Sequence, residues 1–281
     1  MLTTLGYDLY RPEMNDELQG FFDKYCKGLE NDWDKKPRFR LSLIGFNESQ
    51  TPTVLEREES EWPIARTEYR KYFLDTQSNI LTSTPVSIEC QTSHEGKHLI
   101  DSSDFYVRFD KYTELAGYPT AKLYMSCDQH DDMDVYVQVR KTDAKGRLLI
   151  SSNYPCPVPE PEVPSTNVAK FLGCDGMLRA SHAVSKKVED GGFTQYKHDK
   201  QQKIEKGAIV ELDIPLWPIG MAFEAGEGIV LRVAGHDLRL PEFEHLAPTE
   251  ATGPNVGRHK ILSGREHQSH LIVPVIADGK P

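Results

Sequence analysis

Val210-Glu211-Leu212-Asp213-Ile214-Pro215-Leu216 is the stretch that decides the fold. Its four apolar residues fall at every second position, which puts them on one face of an extended chain and leaves Glu211 and Asp213 on the other. A helix would need apolar residues three and four apart. The same alternation recurs at Phe39/Leu41/Leu43, Phe105/Val107/Phe109, Val135/Val137/Val139, Ile229/Leu231/Val233 and Leu271/Val273/Val275. Turn signals lie between these runs, among them Ala116-Gly117-Tyr118-Pro119, Asp143-Ala144-Lys145-Gly146 and Glu224-Ala225-Gly226-Glu227-Gly228. Many short strands without crossover helices predict a mostly-β fold, an antiparallel sandwich of two sheets.

Only the N-terminal region departs from this period. Met14, Leu18, Phe21, Phe22, Tyr25 and Leu29 recur at helical spacing and predict a short N-terminal helical segment with one buried stripe, ending near Gly28. Three stretches read as irregular chain. Pro155 to Pro164 holds five prolines in ten residues, which suits extended polyproline-like chain. Lys186 to Lys206 is polar and contains Gly191-Gly192, as an exposed excursion would. Thr51 to Thr84 mixes charges with Trp62, Tyr69, Tyr72 and Phe73, and is expected to wrap over a sheet as irregular chain with short strands.

At 281 residues the chain can bury a large core without cross-links. Cys26, Cys90, Cys127, Cys156 and Cys174 are odd in number and lack a CxxC pair, which fits free thiols and a cytoplasmic setting. The N-terminus has neither a basic nor an apolar leader pattern, and no apolar run reaches the length of a membrane span. Asn47-Glu48-Ser49 would matter as a glycosylation triplet only in a secreted protein. A net charge of −10 offers no attraction to a phosphate backbone, so neither nucleic acid nor membrane is expected as a partner.

The motifs that could carry chemistry are few. His94-Glu95-Gly96-Lys97-His98 matches the HExxH zinc pattern, which needs a helix to bring both histidines to one face. Gly96 and the strand-like flanks point to a loop instead. Asp128, Asp131, Asp132 and Asp134 form an acidic cluster without the spacing of a calcium loop, as in a solvated turn. There is no GxSxG nucleophile elbow and no glycine-rich phosphate loop after a strand. Ser181-His182 and His236-Asp237 are sequence neighbours; on an extended strand neighbours face opposite ways and cannot form a nucleophile–base pair. Neither a metal nor a cofactor is expected.

Taken in order, several segments resemble the C-terminal part of the X-Pro dipeptidyl-peptidase and cocaine-esterase-like serine hydrolases, over nearly the whole chain. They are Asp8-Leu9-Tyr10-Arg11-Pro12-Glu13, Pro37-Arg38-Phe39-Arg40-Leu41, Glu61-Trp62-Pro63 with Tyr72-Phe73-Leu74, and Gly117 to Val137. Leu178-Arg179-Ala180-Ser181-His182, Ile214-Pro215-Leu216-Trp217-Pro218, Gly228 to Asp237 and His267 to Ile276 complete the set. Ala183 departs from the arginine that relatives often place after Ser-His. The resemblance implies a jelly-roll sandwich over residues 37–281, similar to galactose-binding modules. Residues 1–36 resemble the closing helical part of an α/β-hydrolase domain.

In such relatives the Ser-Asp-His triad lies in that hydrolase domain, so no family catalytic residue transfers to this sequence and no hydrolase activity is expected from the chain alone. What remains expected is a binding module for a small molecule or a protein, with self-association or a partner chain covering the surface that relatives pack on their hydrolase domain. Two alternatives stand beside it. One is a sandwich recruited as a cofactor-independent enzyme for a small organic substrate, with Arg179, His182, Trp217, His236 and Asp237 as pocket candidates. The other is a fragment whose hydrolase activity belongs to a longer protein.

Overall fold

Pro12 opens the only α-helix among the residues described in this computed structural model, which are 11–153, 159–188, 193–251 and 253–277. Helix α1 spans Pro12–Tyr25. Proline at the first turn loses no helical hydrogen bond, and Glu13 and Lys24 complement the dipole at either end. Gly28, at φ +68°, takes the left-handed turn that follows. The expected apolar stripe is present but not buried: no residue of α1 is enclosed, and Phe22 and Tyr25 are 51% and 61% exposed. Polar ties hold the helix in place. Glu17 pairs with Arg40 and Lys36, Lys24 pairs with Asp34, and Asn31 Nδ2 donates to the Gly20 carbonyl at 2.8 Å.

The chain then forms strands β1 (Phe39–Leu43), β2 (Val54–Glu59), β3 (Thr67–Asp75), β4 (Ile80–Thr82), β5 (Cys90–Glu95) and β6 (Ser103–Arg108). Next come β7 (Thr113–Gly117), β8 (Thr120–Cys127), β9 (Asp134–Thr142), β10 (Ser151–Ser152), β11 (Lys170–Phe171) and β12 (Gly173–Arg179). β13 (Lys186–Val188), β14 (Thr194–Tyr196), β15 (Val210–Pro215), β16 (Ile219–Phe223), β17 (Gly228–Ala234), β18 (Arg258–Ser263) and β19 (His270–Ile276) complete the set.

One layer runs β12-β9-β17-β6, and the path continues through β4 into β3-β19-β8-β18-β5; β15 adds to β8, and β16 pairs with β7 beside β19. The strands pair antiparallel except at Ile80, whose parallel bridge to Tyr106 joins β4 to β6; an isolated parallel bridge also joins Ile44 to Met221. The strands fold over one core. Phe105, Val135, Val137, Val139, Ile229, Leu231 and Val233 of the first layer meet Leu123, Met125, Leu212, Ile214, Ile261, Leu271 and Val273 of the second, all nearly solvent-free. Each such side chain contributes about 1.5–3 kcal/mol of hydrophobic stabilisation. The fold is therefore the expected mostly-β antiparallel sandwich.

Three local expectations change. Thr51 to Thr84 is more regular than its composition suggests, because β3 is a nine-residue strand whose residues Thr67 to Phe73 pair with β19 and whose end pairs with β4. Its residues Glu68 to Lys71 face solvent, so no apolar alternation marks it. Lys186 to Lys206 is not simply an excursion: β13 and β14 form a small ribbon, and the Tyr196 hydroxyl donates to the Asp213 carbonyl at 2.8 Å. Gly191-Gly192 and the first half of the proline-rich segment, with Cys156, lie outside the described residues; Glu160–Glu162 forms a 3-10 turn. Cys26, Cys90, Cys127 and Cys174 are free thiols.

One buried polar group ties the incoming chain to this sandwich. Lys141, at the end of β9, is fully enclosed, and its ammonium lies 2.8 Å from Glu227, itself 2% exposed. The ammonium also donates to the Gly45 carbonyl (2.8 Å), the Ser49 hydroxyl (2.7 Å) and the Ala222 carbonyl (2.6 Å), and sits over the Phe223 ring. Glu227 in turn accepts from Ser49, Thr51 and the Glu224 N–H. Burial alone would raise the Glu227 carboxyl, but these donors more than offset it and hold it below the usual carboxylate range. Removing one partner of such a pair leaves an uncompensated buried charge. Lys141→Met is expected to lose about 3–5 kcal/mol of stability, read as a lower urea midpoint at unchanged slope. The double variant Lys141→Met/Glu227→Gln is expected to lose less than the sum of its singles.

Candidate functional site

Three groups able to move protons or bind metals lie on one row of the sheet. β5, β18 and β8 place His94, His259 and Cys127 directly opposite one another. Both histidines are fully buried with ring centroids 5.5 Å apart. His94 Nδ1 is 3.1 Å from the Ser103 hydroxyl, whereas His94 Nε2 and both nitrogens of His259 have no partner. Cys127 turns its thiol to the Val256 carbonyl. Burial, followed by the neighbouring His259, pushes His94 down to about 3, and burial pushes His259 down to about 4.

This geometry corrects the loop assigned to the HExxH pattern. His94 and Glu95 end strand β5, and only Gly96 onward forms a turn, so the two histidines of the motif never share a helical face. Gly96 is required there: a Cβ would lie 2.6 Å from His259 Nε2. Ser103 and His94 resemble a nucleophile and base by distance alone. A base needs its second nitrogen oriented and a pKa near the working pH, and His94 has neither. Among the described residues no group of three or more His, Cys, Asp or Glu side chains is arranged to hold a metal.

The acidic cluster is not a solvated turn throughout. Asp132 is buried; it accepts from the Ser181 hydroxyl at 2.6 Å, the Ser181 N–H at 2.9 Å and Lys203 at 3.2 Å. Burial would raise its carboxyl, and the Ser181 and Lys203 donors more than offset this, so it titrates below the usual range. Asp128 pairs with Lys260, Asp131 with Lys203, and Asp134 with Arg179. Each carboxylate thus already has a cation.

The five pocket candidates do not converge on one cavity. Arg179 forks onto Asp134 through Nε and Nη2 at 2.6 and 2.8 Å, which raises its pKa further. Asp237 is gripped by Arg239, and His236 turns Nδ1 toward the Asp237 carbonyl at 3.0 Å. Arg179 and Asp237 come together only in that both lie within electrostatic reach of Tyr136 on the outer face of β9. Trp217 is 70% exposed beyond β15, its backbone N–H donating to the Asp175 carbonyl at 2.9 Å.

Ser181 and His182 lie on a 3-10 turn, Ala180–His182, rather than on the strand assumed for them. That turn still sends them apart: Ser181 faces inward to Asp132, and His182 Nδ1 faces outward to His198 Nδ1 at 3.2 Å. An open depression of about 370 Å³ adjoins the turn, lined by Ala180, Ala183, Ile204, Val210, Leu212 and Glu211. Two features escaped the sequence, His259 and the exposure of the helical stripe. His259 meets His94 only through strand pairing, which no local pattern announces.

Residues 31–272 match the family model described as the X-Pro dipeptidyl-peptidase C-terminal non-catalytic domain. The chain is 23% identical to the cocaine esterase of Rhodococcus sp. (strain MB1 Bresler) over 92% of its own length and 45% of that protein. Its structure is similar to a CocE/NonD family hydrolase from Staphylococcus aureus, at a TM-score of 0.81 and 24% identity, covering 96% of this chain and 47% of that one. An aminopeptidase from a marine sediment archaeon (Thaumarchaeota) shares the fold at a TM-score of 0.64 and 14% identity, over 98% of this chain and 45% of that one. The chain therefore spans about half the length of the relatives it matches.

The buried histidine pair makes stability depend on pH. In the unfolded chain both rings protonate near the ordinary value of 6.5, whereas in the folded chain they stay neutral down to about 4 and about 3. The unfolded state therefore binds more protons in this window, and stability falls as pH drops below 6.5. At pH 5 the expected loss is about 2 kcal/mol per histidine relative to pH 7.5. His259→Gln is expected to remove about 2 kcal/mol of that acid loss and so flatten the pH dependence of the urea midpoint, with His94 and the buried His270, which burial also pushes down, supplying the rest; an unchanged slope would show that His259 is not a source.

Proposed function

Because the chain belongs to the X-Pro dipeptidyl-peptidase C-terminal non-catalytic domain family, we propose that it is a packing and binding module that docks a catalytic hydrolase body through the apolar face of α1. The observation that carries this reading is the uncovered stripe of that helix. Leu18, Phe21, Phe22, Tyr25 and Leu29 are 38–61% exposed, and Phe21 stacks edge-on with Phe22 and Trp33 in a preformed aromatic cluster. Contiguous exposed apolar patches of this kind mark interaction surfaces. The helix is held by ion pairs rather than by its apolar face, which leaves that face free for another surface.

The occupant follows from length. Relatives similar to this chain along nearly all of it are about twice as long, and the remaining half of such a protein is the natural cover for the stripe. A second copy of this chain is the substitute when that half is absent from solution. The catalytic step then belongs to the partner body. Here the two serines nearest to a triad-like setting, Ser103 and Ser181, are buried, one beside a histidine lacking an orienting acid and the other on a carboxylate without a histidine.

Light scattering coupled to size exclusion tests the docking face. The chain alone is expected to self-associate at micromolar concentration, and Phe21→Glu/Phe22→Glu to be monomeric with a melting temperature within about 2 °C of the parent, since neither ring is buried. A clean monomer that binds no hydrophobic dye would refute the reading. In parallel, an X-Pro chromogenic anilide is expected to show no turnover with the chain alone.

A further inference from the structure

The outer face of the first layer carries rows of polar side chains fixed by the strand register. Tyr106, Val230, Arg140 and Gly173 form one row across β6, β17, β9 and β12, and Asp104, Arg232, Gln138 and Asp175 form the next. Directly opposed residues on paired strands share a face. Arg232 is fully engaged, its Nε and Nη2 lying 2.9 and 2.6 Å from Asp104. Gln138 directs its Nε2 to the Leu238 carbonyl at 3.4 Å.

Arg140 is different. It is 9% exposed, its Nε is sealed from solvent without an acceptor, and among the described residues its guanidinium makes no hydrogen bond or ion pair. The charges that reach it are Arg232 and, more weakly, Asp104, which is already spent on Arg232; the arginine that reaches Asp175 is Arg239. Burial and then Arg232 push Arg140 down to about 10, the direction expected of a cation without its counter-charge. A water molecule could accept from Nε, but it would leave the charge uncompensated.

Gly173 stands opposite Arg140 at φ +151°, where a Cβ would lie 2.0 Å from the Val139 carbonyl, so β12 packs its backbone directly on β9 here and brings no side chain to the guanidinium. Across the row Tyr106 remains 43% exposed. Two guanidinium groups against one carboxylate leave a single positive charge. A planar fork with one charge to balance matches a carboxylate better than a dianionic phosphate, which would be left in excess against Asp104.

We propose that Arg140 anchors a binding site for a small-molecule carboxylate on the outer face of β9, beside the Arg232–Asp104 pair and toward the exposed Tyr106. The site is independent of the docking face on α1. The test is thermal denaturation of the full chain titrated with acetate, with acetamide as the neutral isostere, at constant ionic strength. Acetate is expected to raise the melting temperature along a saturable curve and acetamide to leave it unchanged.

Arg140→Gln is expected to weaken the acetate response at least tenfold and, in carboxylate-free buffer, to melt at or above the parent, because it removes a buried charge that nothing offsets. Equal responses to acetate and acetamide in the parent chain would overturn the proposal without any variant. An undiminished acetate response in Arg140→Gln would overturn it too, and a variant melting well below the parent without carboxylate would show that Arg140 is a structural cation already compensated.

Discussion

The sealed ammonium of Lys141 is the constraint on which the placement of the N-terminal third depends. It reaches the Gly45 carbonyl and Ser49 from the incoming chain, Ala222 from β16 and Glu227 at the start of β17. Those contacts fix the turn that follows β1, and Ile44 then exchanges backbone hydrogen bonds with Gly220 and Ala222. β1 in turn carries β2, and Arg40 on β1 holds Glu17 of α1. The orientation of the exposed helix is thus inherited, step by step, from one buried charge. Buried ion pairs add little net stability over a well-packed apolar substitute, but breaking one is costly. Here the pair specifies which loop lies where.

Arg140 and Lys141 are neighbours on one strand and nearly equally buried, yet their side chains face opposite sides of the sheet. Lys141 points where the fold supplies a carboxylate, two carbonyls and a hydroxyl. Arg140 points to a face where the nearest carboxylate is already bound by Arg232. The contrast matters because it comes from the same segment of the same strand. The fold surrounds one cation with four partners, whereas the residue paired with its neighbour on β12 is Gly173, which carries no side chain.

How much of this was readable depended on whether an element's neighbours were legible from its own residues. β6, β9, β15, β17 and β19 have one face in the core, so period two marks them directly. β3 presents Glu68, Tyr69, Arg70 and Lys71 to solvent and is held by β19, so its pattern lies in the partner's sequence rather than its own. The helix was legible as an element, but its burial was not, because apolar spacing identifies a face and says nothing of what covers it. Arg179 and Asp237 stood out as charged residues beside strand motifs, and each proves to be half of a forked ion pair. Arg140-Lys141 closes the apolar run Val135/Val137/Val139 with two adjacent cations, and two adjacent positions of a central strand address both faces of the sheet, so at least one charge had to be buried.

The polar groups of this sandwich divide by whether their bonding capacity is used up. Asp132, Ser181 and Lys203 satisfy one another, as do Lys141, Glu227, Ser49 and Thr51, and such closed networks rigidify without leaving reactivity. The histidine pair and Arg140 are open cases, and they differ in kind. A buried neutral imidazole can leave a nitrogen unpaired at moderate cost, and its low pKa keeps it uncharged near neutrality. A guanidinium has no such escape, because even when pushed down to about 10 it remains a cation at neutral pH. The histidines can therefore be explained by folding alone. Arg140 keeps its charge beside a carboxylate that Arg232 already holds, and that residual charge is what the proposed carboxylate would balance.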